Sequence, residues 1–222
     1  MSELHDLAGG SDPLVVWADV APDEPLPANV TALIADPELL GSIDPDRPDL
    51  VRIPAINSID RLEAATTLLA HSPGPNHLVL VGNEAAGPVG DTSSFILLQQ
   101  VVRALSANDD IPSKVGLWVR GGIGPNTAAA VIAGGASGVI LDTQTSLLRE
   151  STVPPPVRRI IEAADGSESR VVSGHRVFTR PDLPTADLDE LPADVVFGFD
   201  DPATHVLPAG QDLPTASTLA KV

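Results

Sequence analysis

Short apolar runs and longer amphipathic stretches alternate along the middle of the chain. Between residues 50 and 141, four apolar runs are predicted to be buried strands, at 50–56, 78–81, 115–119 and 138–141. The stretches between them, 58–69, 94–105 and 125–133, repeat apolar residues at helical spacing and begin with capping residues or with Pro125 in the first turn. Strands that alternate with helices in this way predict a parallel sheet joined by right-handed crossovers.

The N-terminal part follows this pattern less closely. Two further apolar runs, 14–17 and 30–34, are predicted strands, but the links between the first three strands are short, rich in proline and show little helical periodicity. Six strands are therefore predicted by residue 141, whereas a complete eight-stranded barrel takes about 250 residues. The pattern predicts an α/β protein, either a partial or degenerate (β/α) TIM-type barrel with parallel strands or an open α/β sheet.

The C-terminal third has a different pattern. A short helix is predicted over 157–164, and two apolar runs, 170–172 and 176–179, flank a turn and predict a β-hairpin. From Pro181 on, proline, aspartate and alanine dominate, and the apolar cluster 195–199 is expected to dock on the main body. We therefore divide the chain into a flexible arm (1–12), a barrel-like domain (13–150) and a C-terminal extension with a helix, a hairpin and a Pro/Asp-rich tail (151–222).

Composition narrows the class of protein. The hydrophobic fraction is 43% but aromatic residues are only 3%, with no Tyr, so the core must be built from Val, Leu, Ile and Ala, which suits a buried parallel sheet. The formal net charge of −17 argues against nucleic acid and anionic membranes as partners. There is no Cys, no apolar run near the roughly 20 residues of a membrane helix and no signal-peptide pattern after Met1, so we expect a cytoplasmic protein.

Two glycine-rich turns follow predicted strands and are the candidates for a binding site. The first runs from Gly82 to Gly90 and contains Glu84 and Gly87, and the second is the run 121–124, Gly-Gly-Ile-Gly. Both lie where parallel strands end, which is the edge at which barrel and open-sheet sites are built. Glycines let the backbone approach a ligand, and a following helix N-terminus offers free N–H groups to a phosphate. The alternative interpretation is that both are tight β–α turns that need a positive φ.

The order of these turns resembles that of a known family. From about Leu50 to Pro181 the chain resembles the C-terminal half of nitronate monooxygenases and FMN-dependent enoyl reductases, which are flavin-dependent (β/α) barrels. In that family a Glu-x-Gly-Gly-His-x-Gly turn carries a catalytic His near the flavin, and two later turns, Gly-Gly-Ile and Gly-Thr, hold the FMN phosphate. The resemblance implies that the cofactor-binding residues here are Glu84, Gly87, Gly90, Gly121, Gly122, Ile123 and Thr143.

Two departures from the family pattern bear on the chemistry. Pro88 stands where the family has its catalytic His, and because Pro cannot exchange a proton, we assign no catalytic residue. Asp142 stands at the glycine of the last phosphate turn, where a carboxylate would repel a phosphate dianion. We therefore expect FMN binding to be weak or absent.

The histidines are not expected to replace the missing one. His71 and His77 flank a loop at the N-terminal end of a predicted strand, on the side of the sheet opposite the site, and are expected to be surface-loop residues. His175 lies in the predicted hairpin and His205 in the tail, and both are expected to be exposed. No pair of histidines or carboxylates has the spacing of metal ligands, so no metal site is predicted.

Three functions are compatible with these features. The first is a nitronate monooxygenase-like flavin-barrel domain that is catalytically degenerate and serves as a scaffold or docking domain of a larger polyketide or fatty-acid synthase. Its partners would be neighbouring synthase domains or a second copy of the chain, and residues 207–212 resemble a linker between such domains. The second is an FMN-dependent oxidoreductase, an enoyl reductase or nitronate monooxygenase, completed by another chain or domain. The third is a barrel of another chemistry that binds a phosphate ligand at Gly121 and Gly122.

Overall fold

The structure is a computed structural model that describes residues 12–19, 25–43, 47–71, 76–107, 115–179, 191, 195–199 and 205–221. The N-terminal arm predicted over residues 1–12 lies, except for Asp12, outside the described residues. Most of the Pro/Asp-rich stretch between residues 180 and 204 also lies outside them.

Six parallel strands form the main sheet of the described chain. They are β1 (Leu14–Ala18), β2 (Val30–Ala35), β3 (Val51–Ile56), β4 (His77–Val81), β6 (Gly116–Arg120) and β7 (Gly138–Ile140), hydrogen-bonded in the order β1-β2-β3-β4-β6-β7. A two-residue strand, β5 (Gly87–Pro88), lies in the loop after β4 and pairs outside this sheet. The predicted strands near 78–82, 115–119 and 138–141 are parallel neighbours in that order, so this part of the prediction is confirmed.

Helices connect and cover the strands. They are α1 (Pro37–Ser42), α2 (Leu62–His71), α3 (Ser94–Ser106), α4 (Pro125–Ala133), α5 (Pro155–Ala163) and α6 (Ala216–Leu219). The four predicted helices correspond to α2 to α5, with ends that differ by a few residues. α1 departs from the predicted non-helical link, because Asp36 accepts the N–H of Glu38 at 2.9 Å and Pro37 occupies the first helical position. Within the described ranges, no helix has the length and apolar character needed to cross a membrane.

Alternate side chains of the central strands belong to two different apolar layers. On β4, Leu78 and Leu80 pack with α2, α3 and α4 on the outer face, whereas Val79 and Val81 pack with residues of the other strands on the inner face. All four side chains are buried. Burial on both faces explains why this strand is a continuous apolar run in the sequence, as parallel strands between two layers are.

The sheet curls into part of a barrel. Trp17 on β1 and Arg120 on β6 are separated by three strands in the sheet order, yet the guanidinium carbon of Arg120 lies 4.4 Å from the centre of the Trp17 ring. In a flat sheet, strands about 4.8 Å apart would leave these positions almost 20 Å from each other. The contact therefore requires strong curvature. The fold is a partial TIM-type barrel in which β1 and β7 are the two edge strands of the described sheet.

The described residues from 151 onward, which we call the C-terminal part, cover the carboxyl ends of the strands. β8 (Ser169–Val172) and β9 (His175–Phe178) form the predicted hairpin, and the turn residues Ser173 and Gly174 both have the positive φ that a tight hairpin turn needs. β9 also pairs with β5, and the N–H of Val89 donates to the carbonyl of Gly174 at 2.8 Å. In the 195–199 segment, Phe199 packs on the apolar cluster that contains Leu147 and Val157, and Val196 accepts the Val206 N–H at 2.8 Å within the C-terminal extension.

Candidate functional site

A cavity of about 670 Å³ opens at the carboxyl ends of the strands, between the barrel and the C-terminal part. This volume lies within the range of small-molecule sites. One side is formed by residues that follow or end β1, β4, β6 and β7, and the other by β9 and the 195–199 segment. The lining includes Asp19, Pro88, Arg120, Asp142, His175 and Phe197. The cavity lies at the edge of the sheet where the sequence predicted the site.

An ion pair forms part of the barrel side of the cavity. Arg120 ends β6, and its Nη2 lies 3.0 Å from Oδ1 of Asp142; the two side chains are only 14% and 12% exposed. The same Nη2 donates to the carbonyl of Ala86 at 3.0 Å, and Oδ2 of Asp142 accepts the Ala86 N–H at 2.7 Å. Arg120 also lies over the Trp17 ring. The pair is therefore well satisfied and joins the loops that follow β4, β6 and β7.

A second carboxylate lies close to this pair. Asp212 belongs to residues 205–221, which we call the C-terminal segment, and it is 3% exposed. Its Oδ2 accepts the backbone N–H of Gln144 at 3.3 Å. Its Oδ1 is buried and has no hydrogen-bond partner among the described residues. Burial, and after it the Asp142 carboxylate, raise the pKa of Asp212 to about 6, although the Gln144 N–H and Arg120 act in the opposite direction.

The C-terminal segment also occupies the turn after β7. The hydroxyl of Thr143 accepts the N–H of Gly210 at 2.7 Å, and the hydroxyl of Thr215 donates to the side-chain oxygen of Gln144 at 2.8 Å. Thr143 and Gln144 are each only 4% exposed. The polar groups of the turn that the family resemblance assigns to phosphate binding are therefore used within the chain.

Glu84 caps a helix in this structure. Its Oε2 accepts the N–H of Ser94 at 2.9 Å at the start of α3, where the helix dipole favours a negative charge. A Cβ on Gly82 would overlap that carboxylate oxygen and the Ser94 backbone, which explains the glycine. The carbonyl of Glu84 accepts the Gln211 N–H at 2.8 Å, so this turn also holds the C-terminal segment.

The glycines of the two turns allow close packing of the loops. Gly121 and Gly122 have φ values of +112° and +64°, and a Cβ on Gly121 would lie 2.7 Å from a backbone nitrogen of the loop after β4. Ile123 is 2% exposed and belongs to the outer core. A Cβ on Gly90 would overlap the carbonyl oxygen of Asn57. Packing alone accounts for these positions, as the alternative interpretation of tight β–α turns expects.

Two of the seven predicted cofactor-binding residues border the cavity. Gly87, whose φ is +78°, and Thr143 belong to its lining. The five that do not are Glu84, Gly90, Gly121, Gly122 and Ile123. The residues that sequence reasoning did not assign to the site are Arg120, which ends a strand, and His175, Phe197 and Asp212, which come from the C-terminal part. Only the position of Arg120, directly before the Gly-Gly turn, offered a signal in the sequence.

The hairpin places a histidine beside Pro88, which corrects the expectation that His175 is exposed. Pro88 and His175 are paired in the β5–β9 ladder, and the half-buried His175 ring stacks on Phe197 with 4.8 Å between ring centres and 17° between the planes. Nδ1 of His175 lies 3.0 Å from the carbonyl oxygen of Ser173. Because a carbonyl only accepts, Nδ1 carries the proton and Nε2 is the acceptor of the neutral ring.

The expectation that His77 lies in a surface loop is wrong. His77 is the first residue of β4 and is half-buried, because the register places it opposite Gly116, where a side chain would collide with its ring. Its Nδ1 accepts the indole N–H of Trp118 at 3.3 Å. His71 is exposed at the end of α2, and His205 is half-buried instead of exposed. Among the described residues, no three His, Asp or Glu side chains lie together in a way that could hold a metal ion.

Solved structures share this fold. FabK from Thermotoga maritima is matched over 96% of this chain and 72% of its own, with a TM-score of 0.68 and 19% identity, and a mutant of it over 96% and 71%, with a TM-score of 0.63 and 18% identity. The nitroalkane oxidase from Streptomyces ansochromogenes is matched over 87% of this chain and 62% of its own, with a TM-score of 0.57 and 20% identity. No protein-family model and no curated protein sequence matches. At 18–20% identity these matches confirm the barrel fold that the resemblance implies.

Proposed function

We propose that this chain is a flavin-barrel domain that has lost productive FMN binding and serves as a cytoplasmic scaffold or docking domain of a larger polyketide or fatty-acid synthase. The observation that carries the proposal is the pair of carboxylates at the turn after β7. Asp142 and Asp212 both lie where the family resemblance would place the FMN phosphate, and both are largely buried.

The phosphate group of FMN does not fit the residues at this turn. The Thr143 hydroxyl is used by Gly210, and the N–H of Gln144 is used by Asp212, so groups that could bind a phosphate are already bonded. A phosphate would bring two negative charges towards Asp212, and a like-charge contact at about 4 Å costs on the order of 1–4 kcal/mol. Arg120 offsets the charge of Asp142, but it is already engaged by that carboxylate and by the Ala86 carbonyl. Removing the C-terminal segment would expose the turn but would leave Asp142 in place.

The other end of the family's site lacks its proton donor. Pro88 occupies the place of the catalytic His and is held in the ladder with β9. A proline side chain has no group that can give or take a proton. The two ends of the site thus depart from the flavin enzymes independently, one through charge and the other through the loss of an acid–base group. Both departures favour a domain that keeps the barrel for its shape.

The packing of the C-terminal part supports a structural role. α5, β9 and residues 205–221 form one apolar cluster around Phe178 and Leu213, which are each 1% exposed. The same segment bonds to the loops after β4 and β7. Residues 207–212, which resemble a linker in sequence, are mostly buried in this segment and anchor it to the barrel and hairpin, which corrects the linker interpretation. A segment that leads from the barrel mouth is well placed to orient a neighbouring synthase domain, which is the proposed partner; a second copy of the chain is the alternative.

A second candidate function is an FMN-dependent oxidoreductase, an enoyl reductase or nitronate monooxygenase, completed by another chain or domain. The observation that favours it is His175, which supplies an imidazole directly opposite Pro88 in the same cavity. In this case the hairpin would replace the acid–base group that the loop has lost. The enzyme would still need a way to accommodate phosphate beside Asp142 and Asp212.

Titration of the purified chain with FMN and with riboflavin, followed by flavin fluorescence, separates these functions. Riboflavin has the same ring system without the phosphate, so the ratio of the two dissociation constants isolates the phosphate end. We expect FMN to bind no more tightly than riboflavin, and more weakly than about 1 μM, which corresponds to roughly −8 kcal/mol. In Asp212→Asn we expect the dissociation constant of FMN to fall by about tenfold relative to that of riboflavin, because one negative charge near the phosphate is removed.

A matched control is Asp165→Asn, which removes a carboxylate from an exposed loop of the C-terminal part. It should leave the ratio of the FMN and riboflavin dissociation constants unchanged. Submicromolar FMN binding by the unmodified chain, together with NAD(P)H oxidation that depends on the added FMN, would refute the scaffold function and support the oxidoreductase. Weak FMN binding without NAD(P)H oxidation supports the scaffold.

A further inference from the structure

A scaffold domain would not need the cavity of about 670 Å³, whose lining includes charged and aromatic side chains. We propose that it binds a planar aromatic cation that carries no phosphate. This inference rests on the proposed function, because it requires that FMN does not occupy the same space. It is carried by three features of the cavity: its aromatic wall, its charge and its hydrogen-bond acceptor.

One wall of the cavity is aromatic in a chain that has very few aromatic residues. Phe197 and Phe199 are two of the four phenylalanines in the sequence, and both line the cavity together with Val195 and Val196. Phe197 is 36% exposed and Val196 is 52% exposed. Apolar side chains left accessible in a concave surface favour a ligand with an apolar face. Stacking on His175 uses one face of the Phe197 ring, and the part of this ring that stays exposed is available to a planar ligand.

The charge of the cavity favours a cation over an anion, because Arg120 and Asp142 offset each other and the Asp19 carboxylate remains. Arg120 is the basic residue among the lining side chains, apart from His175, and it is held by Asp142, by the Ala86 carbonyl and by the Trp17 ring. It is therefore not free to bind an anionic ligand. Asp19 adds a further carboxylate at the mouth. A cation that enters is attracted both by this negative charge and by the faces of the phenylalanine rings.

The acidic character extends beyond this cavity. A smaller cavity of about 300 Å³ adjoins it, since Asp19 and Pro88 line both. Its lining includes Asp36 and Glu38, and Arg61 there is paired with Asp36. The mouth of the barrel thus carries more carboxylates than free cations among its described residues. This excess raises the local concentration of a small cation and lowers that of an anion.

The hydrogen-bonding state of His175 further limits the ligand. Nδ1 donates to the Ser173 carbonyl, so Nε2 of the neutral ring can accept but cannot donate. The Ser146 hydroxyl, which also lines the cavity, can donate or accept. A ligand that donates N–H groups from a planar cationic ring therefore complements the wall, the charge and the acceptor at once.

The proposal is tested on the full chain with two fluorescent probes of similar shape and opposite charge. Proflavine is a planar three-ring cation with amino donors, and anthracenecarboxylate is a three-ring anion. At about 0.15 M salt, where loose surface attraction is screened, we expect one proflavine per chain to bind at least about tenfold more tightly than anthracenecarboxylate. Equal binding of the two probes, or tighter binding of the anion, overturns the proposal.

Variants locate the probe. Phe197→Leu and Phe197→Ala should weaken proflavine binding by about tenfold, because an aromatic contact and its cation–π attraction are lost. Phe95→Ala is the matched control, since Phe95 is 41% exposed on α3 and does not line the cavity; it should leave the affinity unchanged. Asp19→Asn should weaken proflavine binding by about threefold and should not weaken the binding of anthracenecarboxylate.

The outcomes distinguish this inference from the proposed function. Proflavine binding that is unchanged in the Phe197 variants, or that is lost equally in Phe95→Ala, shows that the probe binds outside the cavity and overturns the inference, whatever FMN does. Submicromolar FMN binding refutes the proposed function, and it also overturns the inference if FMN displaces proflavine. Probe binding that depends on Phe197 and on positive charge, with no FMN binding, supports both.

Discussion

The buried carboxylate of Asp212 predicts an unusual dependence of stability on pH. Its pKa is raised from 3.8 to about 6 because burial and Asp142 disfavour the charged form. The folded chain therefore holds this proton more tightly than the unfolded chain does. The stabilising contribution of protonated Asp212 is fully present below pH 3.8 and is lost as the pH rises through about 6. At neutral pH the folded chain carries a buried charge that the unfolded chain would hydrate.

The size of the effect follows from the shift of the pKa. A shift of about 2 units corresponds to about 3 kcal/mol, at 1.36 kcal/mol per unit. Asp212→Asn removes the ionisation while keeping an oxygen that can accept the Gln144 N–H. The difference in the free energy of unfolding between the parent chain and this variant should therefore change by about 3 kcal/mol between about pH 4 and pH 8, with the variant favoured at the higher pH.

Urea unfolding followed by circular dichroism, at pH values between about 4 and 8, measures this difference. Taking the difference between the two chains cancels the titration of the other carboxylates that the two chains share. The matched control is Asp165→Asn, since Asp165 is exposed and its pKa is lowered by hydrogen bonds from Ser167. Asp165 loses its stabilising contribution only as the pH falls below 3.8, so its difference should stay nearly constant between about pH 4 and pH 8. A difference for Asp212→Asn that stays constant within about 1 kcal/mol, or that favours the parent chain at the higher pH, would refute the reasoning.

Two further predictions concern the turns. Gly121→Ala should lower the free energy of unfolding by about 3 kcal/mol, because the position combines a φ of +112° with a Cβ that would lie 2.7 Å from a backbone nitrogen. The control Gly41→Ala in α1, which has open space around it, should be neutral or stabilising by about 0.5–1 kcal/mol in the same urea assay. Equal costs for the two variants would contradict the packing explanation. The double variant Pro88→His with Asp142→Gly should not restore flavin chemistry, because the Asp212 carboxylate still lies at the turn and the barrel is incomplete. Bound flavin and NAD(P)H oxidation are measured in the variant and in the parent chain. Turnover at about 1 s⁻¹ or more would refute the scaffold function.

The strands and helices of the barrel could be predicted because their signals are local. Continuous apolar runs marked β4, β6 and β7, and apolar residues at helical spacing marked α2, α3 and α4, so their order and parallel arrangement followed from the chain alone. The curvature of the sheet could not be predicted in this way. It depends on contacts such as that of Trp17 with Arg120, which join strands far apart in the sheet and leave no periodic pattern.

For the site, the sequence determined which chemical groups are missing. Pro88 has no proton to exchange, and Asp142 is a negative charge at a phosphate turn, whatever the fold around them. Only the tertiary structure decided which groups surround them: Arg120 neutralises Asp142, His175 faces Pro88, and Asp212 reaches the turn from the end of the chain. The physical reason is that charge pairing and burial depend on distance in space, and a chain segment near the C-terminus carries no sequence mark of the loop on which it will pack.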